Sequence, residues 1–396
     1  MFLKNAIQTL DHRWTIKSYL PHTSSLIHVL KTLRPTEKDY IADHVTKKEW
    51  NLGSPNVLDI LQQSGILRMS DFMVVKIESE DTLEVELIFN DLLEIQQLSL
   101  LADLIENIDR TDPRSQLVAQ CLNDGFRRFL ADMSTGAFAL NRNYLHELRP
   151  HLTGEQMEKI RILHLKLLLD VSDCSLVEAI AQLSEWMNDI DNSLNNGFKE
   201  LIREFLFDQE KVVQCLMKKV FSDKFHGWKW YAYVLRTITS SLKSQSVKII
   251  KGFLKDLYSS FLVQKNKNFF LIMIVTARVL CTGDRERFGD YAQWYRNQFS
   301  DMRYRISKED FVSTLEMLQS LVSYENDVGI LHIYAATAIS PPTLCNDLVL
   351  NFKLMCRSKM ERLKLDASGD GRTDENVVPI DIDDDDFENE NNIFLS

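Results

Sequence analysis

Lys248, Lys251 and Lys255 stand at i, i+3 and i+7, so a helix carrying them turns all three ammonium groups to one side. Such a row can lie along a phosphate backbone, releasing counterions as each charge is neutralised. Upstream, Lys218, Lys219, Lys224, Lys229 and Arg236 are interleaved with Phe221, Phe225, His226, Trp228, Trp230, Tyr231 and Tyr233. Aromatic rings among basic residues can stack unpaired bases, but rings at helical spacing also fill the core between neighbouring helices. Lys248, Lys251, Lys255, Lys229 and Arg236 are the candidate nucleic-acid contacts, with DNA or RNA as the polymer. The competing readings are a solvated basic face and a landing site for acidic residues of the chain itself.

A second constellation lies near the end of the sequence, where Val377, Val378, Ile380 and Ile382 run into Asp383, Asp384, Asp385 and Asp386. A β-branched stretch of this kind can add as a strand to a partner's exposed sheet edge, placing alternate side chains in an apolar groove. The aspartates would then meet Lys or Arg on that partner, adding on-rate and register more than raw affinity. Pro379 interrupts the aliphatics and fixes which edge can pair, because an added strand turns every second N–H to solvent. The segment resembles a SUMO-interacting motif, a Val/Ile-rich core flanked by acidic residues. That resemblance implies SUMO or a SUMO-modified protein as partner, held by Val377, Val378, Ile380, Ile382 and Asp383 to Asp386. Ile393, Phe394 and Leu395 form a further apolar patch that could dock. The competing reading is a solubilising acidic tail.

Signatures of catalysis are missing. The 13 glycines form no GxGxxG or GxxxxGK loop, and the 9 histidines include no HExxH and no i, i+4 pair. Cys121, Cys174, Cys215, Cys281, Cys345 and Cys356 include no CxxC and sit in apolar runs, so buried free thiols in a reducing compartment are expected. His164 and His332 lie in apolar helical runs and read as satisfied core residues. Leu165 to Leu169 has the LxxLL docking pattern but falls mid-helix, where its leucines serve the core. No enzyme activity, metal or cofactor is expected.

The charge distribution separates the chain into unequal parts. Residues 367–396 hold ten acids and one base, so −9 of the net −11 belongs to them and residues 1–366 carry only −2. Between Glu210 and Lys267 twelve bases meet three acids, a local +9. A basic segment and an acidic appendage favour contact with polyanions and with basic or acidic protein faces.

The elements that must position these groups read as helices. No proline occurs between Pro150 and Pro341, and a proline inside a helix costs about 3 kcal/mol, so uninterrupted helical structure is expected there. Thr153 to Gln156 and Ser175 to Glu178 read as capping boxes, and Ser307 as a looser N-cap. Leu176, Ile180, Leu183, Met187 and Ile190 fall on one helical stripe, and comparable stripes follow to residue 365. The expected fold is all-α, an irregular α-solenoid or helical array over 151–366. Residues 1–150 are mostly helical, with a β-hairpin or a helix starting near Asp81 as rival readings of 71–89. Residues 367–396 have too few apolar residues to fold alone and are expected to be a disordered acidic tail. The start of the chain lacks the apolar core of a signal peptide, and the longest apolar run, Phe269 to Ala277, is too short to span a bilayer. A soluble intracellular protein without membrane contact follows.

A helical body with a SUMO-binding element outside it is similar in plan to helical loader subunits of chromosome-maintenance (SMC-type) complexes. The likeness implies a non-enzymatic nuclear scaffold or adaptor in a multiprotein genome-maintenance or DNA-repair assembly, with the cytoplasm as the alternative location. The rival reading is a solenoid subunit of another complex, with a solvating tail and an exposed apolar groove on its body.

Overall fold

The computed structural model describes residues 2–15, 24–78, 82–94, 98–106, 113–135, 144–171, 174–193, 196–222 and 225–368. Among the described residues all elements are helical and no strand forms. The first helices are α1 (Phe2–Thr15), α2 (Ser24–Lys31), α3 (Pro35–Thr46), α4 (Ser54–Gln63) and α5 (Met69–Glu78). There follow α6 (Thr82–Glu94), α7 (Leu98–Glu106), α8 (Pro113–Thr135) and α9 (Tyr144–Glu147). The centre consists of α10 (Gly154–Leu169), α11 (Leu176–Ser193), α12 (Asn196–Glu204), α13 (Gln209–Lys219), α14 (Trp228–Thr239), α15 (Ser244–Gln264) and α16 (Lys267–Gly283). The array ends with α17 (Arg285–Phe288), α18 (Tyr291–Phe299), α19 (Lys308–Tyr324), α20 (Val328–Ala336) and α21 (Asn346–Ser368).

Side-chain caps set the starts where the sequence places them. The Thr153 hydroxyl accepts from the Gln156 amide, and the Gln156 side chain accepts from the Thr153 amide at 2.8 Å. Ser175 and Glu178 exchange the same pair of bonds, at 2.7 and 3.2 Å. Ser307 accepts from the Asp310 amide at 3.0 Å and opens α19. Each cap satisfies amides that the first helical turn leaves without a partner. The run 285–299 is broken at Gly289, whose φ of 78° ends α17 before Asp290 caps α18.

The β-hairpin reading of 71–89 is incorrect. Residues 71–78 belong to α5 and 82–89 to α6, and the burial pattern gives the reason. Met69, Phe72, Met73 and Lys76 are buried at i, i+3, i+4 and i+7, and Val85, Ile88, Phe89 and Leu92 repeat that spacing. A strand would bury Leu83 and Leu87 with Val85 and Phe89, yet both are exposed. Period two and period 3.6 overlap in a short aliphatic run, and packing against α8 selects the helix.

One apolar core runs from Ala6 to Cys356. The N-terminal helices join the centre where α8 packs on α10 and the Phe126 ring lies 4.3 Å from that of His164. The long apolar run becomes α16, buried on every side from Phe270 to Cys281 between α11, α14, α15 and α18. Arg278 is the one charge in that stretch. Its guanidinium meets Glu325 at 2.7 Å and donates to the Ser184 hydroxyl at 2.7 Å, so α11, α16 and the end of α19 share one buried ion pair.

Gly227, just before α14, sits where the backbone passes close to α10. A Cβ there would lie 1.9 Å from the Leu169 carbonyl oxygen, and the neighbouring Cys174 amide donates to the His226 carbonyl at 3.2 Å. Gly227→Ala must move one of two packed backbones, an overpacking cost of about 3 kcal/mol or more. The expected outcome is a lower thermal midpoint with helix content kept, read by circular dichroism. An unchanged midpoint would show that the close approach is not needed.

Candidate functional site

Of the predicted basic residues, three lie together on α15. Ile250, Phe253, Leu257 and Phe261 on one side of that helix are buried, and Lys248, Lys251 and Lys255 on the other are exposed. The amphipathic pattern explains the split, because the apolar stripe packs on α16 and leaves the lysine row to solvent. Lys251 is partly engaged: its Nζ donates to the Arg287 carbonyl at 2.8 Å and lies 5.4 Å from the Phe288 ring. Lys248 and Lys255 form no ion pair among the described residues.

The other two predicted contacts belong to α14 and do not extend the row. Lys229 lies over the Trp230 and Tyr233 rings at 5.4 and 5.8 Å. Arg236 turns its guanidinium to the Met187 carbonyl of α11. The aromatic cluster is core, not a stacking platform: Trp228, Trp230, Tyr231 and Tyr233 are all buried. Burial also holds the Tyr231 phenol far above its ordinary range, against the opposing hydrogen bond with Thr276 at 2.8 Å. Phe221 and His226 are the exceptions, both exposed, with about half of the Phe221 surface (49%) open.

Phe221 belongs to a groove of about 630 Å³ between α10 and α13. Ile162 and Lys166 come from α10, and Lys211, Gln214, Cys215, Lys218 and Lys219 from α13. Lys211 pairs with Glu158, and Lys219 pairs with Asp170 at 2.7 Å. Lys166 and Lys218 are exposed and have no carboxylate partner among the described residues. Burial pushes the half-buried Cys215 thiol up, opposed by the positive charges of Lys166, Lys219 and Lys218 around it. The site is a cationic rim over an apolar floor, suited to an acidic ligand with aliphatic side chains.

Sequence reasoning did not find this groove. The α13 half could have been read, since Lys211, Cys215 and Lys218 stand at i, i+4 and i+7. Lys166 hid inside the LxxLL pattern. Leu165, Leu168 and Leu169 of that pattern are fully buried, so they cannot dock a partner, while Lys166 between them faces out.

The remaining candidates are quiet chemically. His164 is buried between the Tyr144 hydroxyl on Nε2 and the Ile160 carbonyl on Nδ1 at 2.8 Å. Burial pulls its pKa down to about 4, so it is neutral and satisfied, as the sequence suggests. His332 is not a core residue: it is exposed on α20, because its helix buries Leu331, Tyr334 and Ala335 on the opposite side. All six cysteines are free thiols, and burial pushes Cys281 and Cys356 up to about 12. Among the described residues no group of His, Cys, Asp and Glu could hold a metal ion. Val377, Val378, Ile380, Ile382 and Asp383 to Asp386 lie outside the described residues.

No curated protein matches this chain. A family model does, described as Fanconi anaemia group A protein N terminus, over residues 17–366. The match takes in the helical array from α2 through most of α21 and stops where the acidic segment begins. On that match, extending over well over half of its residues, the chain belongs to the Fanconi anaemia group A protein N-terminal family, a genome-maintenance family.

Proposed function

We propose that this chain is a non-catalytic scaffold subunit of a nuclear DNA-repair complex. Its α15 face would contact the DNA backbone, and its C-terminal segment would bind SUMO-modified partners. The observation that carries the reading is family membership, together with an α15 lysine row exposed on its outer side in which Lys248 and Lys255 have no ion-pair partner among the described residues. Family membership supports a nuclear location, and no described helix is long and apolar enough to cross a membrane. The lysine row is tested by DNA binding across salt. Each neutralised phosphate contributes about 0.9 to the slope of log affinity against log salt, so Lys248→Glu with Lys255→Glu should flatten it by roughly 2. Both residues are exposed, so circular dichroism should not change. Wild-type protein that fails to bind DNA at about 50 mM salt reduces the row to a solvated face.

A second reading is a structural subunit of another multiprotein complex, with an acidic segment that only solvates. The half-exposed Phe221 in an apolar-floored groove favours it, because such a floor suits a protein partner.

A further inference from the structure

We infer that the groove between α10 and α13 is a docking site for the acidic segment 377–386 of this same chain. Charge is the first support. Lys166 and Lys218 stand exposed on the rim with no carboxylate partner among the described residues, and Lys219 lies beside them around Cys215. The segment following α21 holds −9 of the net −11, with Asp383 to Asp386 contiguous. Shape is the second. Ile162 and Phe221 give the groove an apolar floor, and Val377, Val378, Ile380 and Ile382 immediately precede the aspartates.

Two other basic places on the molecule lack this combination. The α15 row stands on an open helix face, and its middle member is bonded to the Arg287 carbonyl. A second cavity, of about 390 Å³ beside Arg203 and Arg236, has cations already committed to Glu200 and to the Met187 carbonyl.

Eight residues, 369–376, tether the docking segment to Ser368, a reach of up to roughly 30 Å against a radius of gyration of about 21 Å for a compact chain of ~370 residues. Tethering sets an effective concentration on the order of millimolar, so even a contact of about 100 μM affinity is populated. Docking covers the aliphatics of the segment, and a partner that needs them must displace it. Self-docking and SUMO binding therefore compete, and neither requires the other.

The test uses the full chain and a zero-length carbodiimide, which joins a carboxylate to an ammonium group only where they touch. Peptide mapping is expected to find Lys166 or Lys218 joined to acids between 381 and 386. Mixed light and heavy protein should give no light–heavy pairs. Lys166→Glu with Lys218→Glu should remove these links, and Asp383 to Asp386 changed to Asn should make Cys215 alkylate about tenfold faster, as expected for a contact closed about ten to one. Links spread over all exposed lysines, or gathered at Lys199, Lys248 or Lys255, overturn the proposal. Light–heavy pairs overturn it in favour of a second copy as the occupant. Equal Cys215 rates in the native and Asn-substituted chains also overturn it, whatever the charge-reversed variant does.

Discussion

Arg278→Met is expected to destabilise the protein by about 3–5 kcal/mol, because it leaves the Glu325 carboxylate buried without its partner. Total stabilities are only about 5–15 kcal/mol, so the loss is severe. The geometry leaves Glu325 no escape: it is 1% exposed, and apart from Arg278 only the Asp327 amide donates to it among the described residues, at 3.0 Å. Burial already pushes the Glu325 carboxyl above its ordinary range, with the Arg278 charge opposing that rise. Without the guanidinium the carboxyl should rise further and take up a proton. A carboxyl raised in the folded state stabilises most below its unfolded pKa, and that contribution is lost as pH rises through the folded value. The gap between variant and native protein should therefore be smallest near pH 4.5 and widen toward pH 8. Arg278→Met combined with Glu325→Leu removes both charges and should recover most of the loss. Denaturant unfolding at the two pH values measures all of this. A gap that does not change with pH, or a double variant as weak as the single, would show that the pair is not what α16 depends on.

That pair also marks what the sequence could not reveal. Its members are 47 residues apart, and neither has a local signature. What was legible was local. The Thr153, Ser175 and Ser307 caps act within three residues of themselves, and the stripe through Ile180, Leu183 and Met187 needs only the helical period. The α15 lysine row was legible for the same reason, since one helix carries it. The groove was not, because Lys166 and Lys218 meet only after α10 and α13 pack. Where local signals conflicted, at 71–89, the aliphatics fitted two periods and the choice fell to tertiary contacts that a single sequence does not contain. The aromatic-rich stretch 225–233 misled in the other direction: its composition suits base stacking, yet its spacing buries nearly every ring.

A 367–396 peptide titrated into isotope-labelled SUMO is expected to shift edge-strand resonances, with affinity on the order of micromolar, since a short segment must be ordered as it binds. The aliphatics should supply most of the energy, at roughly 1.5–3 kcal/mol for each fully buried side chain. Val377→Ala, Val378→Ala and Ile380→Ala together should therefore weaken binding by about a thousandfold or more, past detection at any salt. Changing Asp383 to Asp386 to Asn should act differently, slowing association and flattening its salt dependence while leaving slow, weaker binding. The two variants separate a strand-adding motif from a merely acidic one, because only the former distinguishes burial from charge. Competition with the α10–α13 groove adds a second signature. The full chain should bind SUMO more weakly than the free peptide, and Lys166→Glu with Lys218→Glu should bring it back toward the peptide's affinity. If resonances stay still at millimolar peptide, or the alanine peptide binds as well as the native one, the segment is a solubiliser toward SUMO. The cross-linking pattern at Lys166 and Lys218 would still decide on its own whether that segment rests in the groove.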